Sequence, residues 1–414
     1  MNDCIKTLTE KIKNINDKPY YILNACFCMF LVLCGLSTTH TYDYSIHTQS
    51  MASISFYPPA FLDLLKNAGY PLWHITDNYI MKLLSCTPAH AAGLSSGFWL
   101  VVSFCGVLYF MQKWFGDTVN KYLVCSLCFI LFIVGPIWIP WKNHLIIIGC
   151  GGPNVWHNAT NICGRAVGVF AFFCFMKVLE KMVNSDYSYI PSLKQCIGLS
   201  FLFVFSLFAK PSFMQSFAPS FGILLIYHLI KSRGKSIKEF GVFCAVSILP
   251  FLYLMRQFLF YFSTSDQTPG IVTQQQSSGI QIYFEDFGAI LHSIDCQFLI
   301  LMFPIIMSVI VAVKGKFDMY NAVVWLMDLI SFMAVILLHG AAQGEMGWAC
   351  YIAYFFNYMV GLRDFIRLYF TDCKWDNQKI KKATFVAACL VLAINLLVGV
   401  YYLYKMAIVK VSIF

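Results

Sequence analysis

Apolar runs of about 20 residues recur along the whole chain, and each is long enough to cross a hydrocarbon layer of roughly 30 Å. They predict an all-α, polytopic integral membrane protein with eleven transmembrane helices, near 20–38, 89–112, 122–140, 164–182, 195–210, 213–230, 240–262, 287–313, 320–338, 347–362 and 384–404. The polar stretches between them are too short for a soluble domain, so residues 1–414 read as one membrane domain. Two connections stand out. In the first, 39–88, the segment PPAFLDLLKNAG puts Phe61, Leu64 and Leu65 on one side and Asp63 and Lys66 on another, as in a short helix lying in the membrane interface. A second helix follows over 70–84, with Pro71 near its start and Ile75, Tyr79 and Leu83 one turn apart. The second connection, 263–286, holds Pro269, Gly270, three consecutive Gln and a Ser pair. It has too few apolar groups to offset the entropy of ordering, and reads as a flexible outer loop, either a plain connector or a flap.

Composition agrees with this pattern: 59% of residues are hydrophobic and 12% charged, whereas soluble chains carry about 25% charged residues. Charge then adds orientation. Of the 29 Lys and Arg, 21 fall at the N-terminus or in every second connection, from Lys6 to Lys18, Lys113 to Lys121, Lys177 to Lys194, Lys231 to Lys238, Lys314 to Lys316 and Arg363 to Lys382. Basic residues collect on the cytoplasmic side, which gives a cytoplasmic N-terminus and an outer C-terminus. The net charge of +9 is thus a topology signal and a match to anionic inner-leaflet lipid, with no call for nucleic acid. The long polar stretch before the first run, and the lack of an A-x-A site after it, favour an uncleaved anchor. The 17 cysteines are scattered, mostly within apolar runs, and read as small packing residues, although Cys86, Cys150 and Cys163 all fall near the outer face.

Under this topology eight of the nine histidines, all but His228, lie on the outer side, and candidate chemistry gathers there. Asp43 follows the first span in THTYDYSIHT, among His40, Tyr42, Tyr44 and His47. A carboxylate at a membrane boundary beside such groups is suited to act as a general base, or is simply a solvated acid. The segment IIIGCGGPNVWHNATNICGR ends an apolar run in glycines and Pro153, then presents Trp156, His157 and Asn158 before Arg165 opens the next span. It reads either as a sugar-binding turn, with amide, imidazole and indole surfaces, or as an ordinary turn. Asn158-Ala159-Thr160 also matches a glycosylation sequon. Lys210 before Pro211 and Arg256 near the outer end of its span are cations where charge is costly, so they either bind an anion such as a lipid phosphate or reach to the headgroups. HGAAQGEMGW brings Glu345 and Trp348 to the same face, and Asp328 is a carboxylate deep in a span.

The arrangement resembles the GT-C superfamily of integral-membrane glycosyltransferases, which use lipid-phosphate-linked sugars. The likeness rests on Asp43 in THTYDYS, the loop helices 59–68 and 70–84, and Lys210-Pro211 at an outer span end, and covers about the first 220 residues in arrangement. PNVWHN is also similar to a segment of uncharacterised bacterial polytopic membrane proteins. The paired acids or D-x-D of several GT-C branches are absent near the first span. The resemblance therefore implies no cofactor and a polyprenyl-phosphate sugar donor, with a divalent cation as the alternative. It further implies Asp43 as catalytic base, Arg165, Lys210 and Arg256 on the lipid phosphate, and His40, His74, Trp156, His157, Asn158 and Glu345 orienting donor and glycan or lipid acceptor. A bacterial plasma membrane is the expected setting. A transporter or flippase for a lipid-linked or polar substrate, and a surface-polysaccharide polymerase, are the other readings of the same pattern.

Overall fold

The computed structural model describes residues 18–40, 44, 47–48, 70–139, 152–263, 281–282, 287–339, 341–371 and 373–410; the side chains at 258, 260–263, 281–282, 287, 289, 338–339 and 341–346 are not part of that description. Asp43, the expected helix 59–68 and most of the 263–286 connection therefore lie outside the described residues.

The described chain forms α1 (Lys18–Ser37), α2 (Leu72–Leu84), α3 (Pro88–Phe115), α4 (Lys121–Leu131), α5 (Ala159–Asn184), α6 (Leu193–Ala209), α7 (Ser212–Lys231), α8 (Ile237–Ser263), α9 (Phe287–Val313), α10 (Met319–Leu337), α11 (Ala341–Tyr369) and α12 (Gln378–Tyr404). One antiparallel pair of two-residue strands, β1 (Gln281–Ile282) with β2 (Leu338–His339), joins the end of α10 to the stretch before α9. Each of the eleven expected segments contains a helix. Eight of these helices, α1, α3, α5, α7, α8, α9, α10 and α12, are long and apolar enough to cross a membrane. α4 and α6 are apolar but shorter, at 11 and 17 residues, and α11 carries Arg363, Asp364 and Arg367 in its last turns.

α4 falls short because the apolar run 122–140 is only half helical. Pro136 has no N–H to donate and disfavours helical geometry at Gly135, so after Leu131 the helix ends in a turn and the chain continues to 139 without regular structure. Polar backbone cannot face lipid unpaired, and α12 supplies the partners. The Gly135 N–H donates to the Asn395 carbonyl at 2.9 Å, the Asn395 amide donates back to the Gly135 carbonyl at 2.8 Å, and the Ile137 N–H donates to the Leu299 carbonyl of α9 at 3.0 Å. The approach is so close that a Cβ on Gly399 would collide with the Ile133 carbonyl.

α5 is the central helix, buried along most of its length, with Phe172 and Phe175 packed among Phe203, Phe217, Phe221 and Phe356. The exposed large apolar side chains sit mainly on α1, α8 and α12, as on Leu33, Leu252 and Leu397. That is the surface of a protein solvated by hydrocarbon, since a soluble chain would bury such groups.

Side-chain contacts sort the connections into two ends. At one, here called the lower, Arg363 donates to Asp364 at 2.8 Å and Asp318 at 3.0 Å, and Arg367 donates to Asp318 at 2.9 Å. Asn321 caps the other Asp364 oxygen at 2.6 Å, and the Arg363 guanidinium lies over Trp114 of α3 and Tyr320 of α10. The upper end holds α2, the 152–158 turn, the α6–α7 junction and the end of α12.

Candidate functional site

α2 reverses the burial pattern of a soluble amphipathic helix. It turns Trp73, His74, Asp77 and Asn78 into the protein and leaves Tyr79, Leu83 and Leu84 exposed, as suits a helix lying in an interface with lipid on its outer side. Trp73 donates to Ser96 of α3 at 3.2 Å, and Ser96 also receives the Tyr44 hydroxyl at 2.7 Å. Tyr44 is fully buried. It anchors the chain directly after Asp43.

Lys210 is the centre of the upper end. Pro211 forces the preceding residue out of helical geometry; Lys210 accordingly adopts an extended backbone and ends α6, and its side chain turns inward to 2% exposure. Gly164 of α5 makes room for it, because a Cβ there would lie 2.9 Å from that of Lys210. The ammonium donates to Thr160 Oγ1 at 3.2 Å and Asn158 Oδ1 at 3.4 Å, and lies 4.8 Å from the Trp348 ring and 5.5 Å from the Tyr70 ring. Asn158 is also the N-cap of α5, receiving the Asn161 N–H at 2.8 Å. Buried in that role, its amide is closed to glycosylation.

Three imidazoles surround this ammonium. His157 shares a 3.0 Å hydrogen bond through Nδ1 with the Tyr402 hydroxyl of α12 and lies 5.8 Å from Trp348, ring to ring. His47 and His74 face each other at 3.0 Å, Nδ1 to Nε2. Burial and, after it, the positive field of Lys210 push His157 down to about 3. His74 is lowered to about 4, again by burial first, with the Tyr70 carbonyl opposing and Lys210 adding to the shift. Burial, His74 and Lys210 hold His47 well below its ordinary value. All three are neutral at pH 7, and each is able to donate one hydrogen bond and accept another.

Of the other expected site residues, Trp156 is buried beside His157 in the chain. Arg165 is engaged by the turn it follows: its Nη1 donates to Asn154 Oδ1 at 2.8 Å and to the Pro153 carbonyl at 3.3 Å, and the guanidinium lies between the Phe132 and Phe355 rings. Asn154 in turn donates to the Leu131 and Val134 carbonyls where α4 ends. His40 is exposed at the end of α1, with Nδ1 at 3.1 Å from the Ser37 carbonyl. Arg256 is exposed on α8, its guanidinium 5.7 Å from the Tyr253 ring one turn earlier. Glu345 lies in the first turns of α11, its side chain outside the description. The structure thus brings His74, His157, Asn158 and Lys210 together and sets Arg256 and His40 apart.

Asp77 is the group that sequence reasoning passed over. It is fully buried one turn from His74, neither carboxyl oxygen has a hydrogen-bond partner, and burial raises it to about 8. The signal was its place three residues after His74, on the same face of an interfacial helix. Among the described residues the cysteines are free thiols, and no three His, Cys, Asp or Glu side chains are arranged to hold a metal ion.

No family model matches the chain, and no curated protein does. Among solved structures it is similar to the archaeal oligosaccharyltransferase AglB from Archaeoglobus fulgidus, described in complex with an inhibitory peptide and a dolichol-phosphate, at 9% identity and a TM-score of 0.39. The match covers 94% of this chain and 56% of that one. At that score the likeness carries no weight for fold or function.

Proposed function

We propose that the chain is an integral-membrane glycosyltransferase that moves a sugar from a polyprenyl-phosphate donor to a glycan or lipid acceptor at its upper end, taken as the extracytoplasmic face. One observation carries the reading: a buried ammonium, Lys210, held by Asn158 and Thr160 among three neutral imidazoles and two aromatic rings. The chemistry follows from charge. Asp43, bonded to the anchored Tyr44, takes the proton of the acceptor hydroxyl as its oxygen attacks the anomeric carbon. The bond from that carbon to the phosphate oxygen breaks, and Lys210 balances the charge that develops on the departing lipid phosphate. Arg165 of α5 is a further cation. His157, Asn158, Trp156, His74 and Glu345 orient the sugars through hydrogen bonds and ring faces. Since Lys210, His157 and Asn158 are all under 4% exposed, the donor reaches them when the covering chain moves aside, as lids do in many transferases.

The test is transfer from a polyprenyl-phosphate sugar by the reconstituted protein. Asp43→Asn should cost at least about 10²-fold in turnover while donor binding survives, and Lys210→Met should weaken donor binding. Near-normal turnover of the Asp43→Asn protein rejects the reading.

A transporter is the second reading. The interrupted α4, with its non-helical 132–139 segment held by Asn395, supports it, because broken helices line transporter pathways, and so does Asp328 buried halfway along α10. Substrate uptake into vesicles without chemical change would favour it.

A further inference from the structure

The donor and the product of the proposed transfer differ by one charge at the phosphate. A sugar joined through a polyprenyl phosphate is a phosphodiester with one negative charge. When the acceptor oxygen bonds the anomeric carbon and the carbon–oxygen bond to phosphate breaks, the lipid leaves as a monoester with two negative charges, and one proton is released from the acceptor. A buried site that holds both species must accommodate the extra charge or give up the product.

The groups around Lys210 are suited to that step. From the chain after α1 comes His47, from α2 come His74 and the buried Asp77, from the turn before α5 comes His157, from α5 come Thr160 and Arg165, from α11 comes Trp348, and from α12 comes Tyr402. The side chains of Asp43 and Glu345 lie outside the described residues. Within this shell Asp77, raised to about 8 by burial, is already mainly protonated at pH 7, so the neutral imidazoles are the groups left to take up a further proton. The 3.0 Å contact between His47 Nδ1 and His74 Nε2 needs one nitrogen to donate and the other to accept. The Tyr70 carbonyl favours a proton on His74, although His74 Nδ1 has no partner within hydrogen-bond geometry. With that proton on Nδ1, His74 Nε2 accepts from His47 Nδ1, and His47 Nε2 is left as a lone-pair nitrogen. His157 holds its Nδ1 on the Tyr402 hydroxyl. What keeps the three neutral is burial and the field of Lys210. A dianion beside Lys210 reverses that field.

We propose that His47, His74 and His157 make the Lys210 site a proton-linked phosphate monoester site, neutral around the monoanionic diester donor and protonated at one imidazole when the dianionic monoester is bound. This rests on the transferase reading and adds its charge balance: the proton that Asp43 takes from the acceptor passes to an imidazole, which frees the carboxylate, and stays in the site as imidazolium until the lipid phosphate departs. Product release is then coupled to proton release and becomes easier as pH rises. The direction follows from linkage. An imidazole that is neutral in the empty site and protonated with the dianion bound takes up a proton on binding, and affinity for the dianion falls as pH rises between its two titration points.

Isothermal titration of farnesyl phosphate into the full-length protein in nanodiscs, in buffers of different ionisation enthalpy, counts the protons taken up. Between pH 7 and 8 the free monoester is already mainly dianionic, its second pKa being about 6, so uptake reports on the protein. Uptake near one proton is expected, with affinity falling about tenfold per pH unit, and no uptake with the methyl ester of farnesyl phosphate. His47→Gln and His157→Gln should each lower the uptake while binding persists, and circular dichroism checks that they fold. Wild-type binding without uptake overturns the proton linkage and leaves the donor site standing. No binding of either lipid overturns both. Inorganic phosphate separates the sources: binding far weaker than that of farnesyl phosphate supports a lipid-linked ligand, while equal binding with the same uptake keeps the proton-linked site and overturns the lipid-linked reading.

Discussion

Asp77→Asn should make the protein more stable at neutral pH and leave it unchanged in acid. Asp77 is fully buried, its carboxyl oxygens have no hydrogen-bond partner, and burial raises it from an ordinary 3.8 to about 8. In the unfolded chain the same group ionises near pH 4, so folding at pH 7 must take up a proton. The folded value lies above the unfolded one, so stability from this group is fully present below pH 4 and is lost as pH rises toward 8. One pH unit is worth about 1.4 kcal/mol, so the loss amounts to roughly 4 kcal/mol by pH 7 and about 6 kcal/mol well above pH 8. An amide has nearly the same shape and no charge to desolvate, so the variant should lack this slope. Unfolding by SDS from dodecyl maltoside micelles, followed by tryptophan fluorescence at pH 4.5, 6, 7 and 8, measures the difference. The two proteins should converge at pH 4.5 and separate steadily above it, with the Asp77→Asn protein the more stable. Parallel pH profiles, or a variant less stable at pH 7, would mean that Asp77 is ionised and compensated in the folded protein, and the burial argument would fail.

At the lower end, Arg363→Met should destabilise by about 1.5–3 kcal/mol in the same unfolding measurement, because it leaves the fully buried Asp364 with Arg367 and Asn321 alone and removes half of the Asp318 pairing; a loss under about 1 kcal/mol would show the pair to be solvated. Topology is tested by reporter fusions at Ser188, Ser278 and the C-terminus. An inner Ser188 with outer Ser278 and C-terminus is expected, and an inward Ser278 overturns the extracytoplasmic assignment of the site.

The apolar runs located helices well because a hydrocarbon layer imposes one length on anything that crosses it. They misjudged α4 because hydropathy cannot tell helical from extended backbone: IVGPIWIP is as apolar as a span, and Pro136 with the Asn395 amide decides its shape. Within the site, the nearness of His157, Asn158 and Lys210 was legible from their common position at span ends. Their mutual contacts were not, because the bonds from Lys210 to Asn158 and Thr160 join residues about 50 positions apart. His47 was seen only as a neighbour of Asp43, and its 3.0 Å contact with His74 depends on how α2 folds back on α3. The Arg363 network was read merely as basic topology signal, since charge counting has no means of pairing Arg363 with Asp318 across two helices.

A feature common to the site residues is that they lie at helix ends. Asn158 caps α5, Lys210 ends α6 because Pro211 follows, Trp348 lies early in α11, Tyr402 sits in the last turn of α12, and His74 is in the first turn of α2. Helix ends leave backbone groups that need partners, and in a membrane protein those ends meet the polar headgroup layer, whereas the helix middles face hydrocarbon. Polar side chains are least costly at that depth, and it is also the depth of a lipid phosphate. A site built there can hold the phosphate of a prenyl lipid while the chain of that lipid stays in the bilayer beside exposed groups such as Tyr79 and Leu83 of α2. A soluble phosphate ester would gain nothing from such a placement. On the proposed transferase reading the ligand of Lys210 is therefore an anionic group joined to a long apolar one, and the inorganic-phosphate arm of the titration bears on that reading directly.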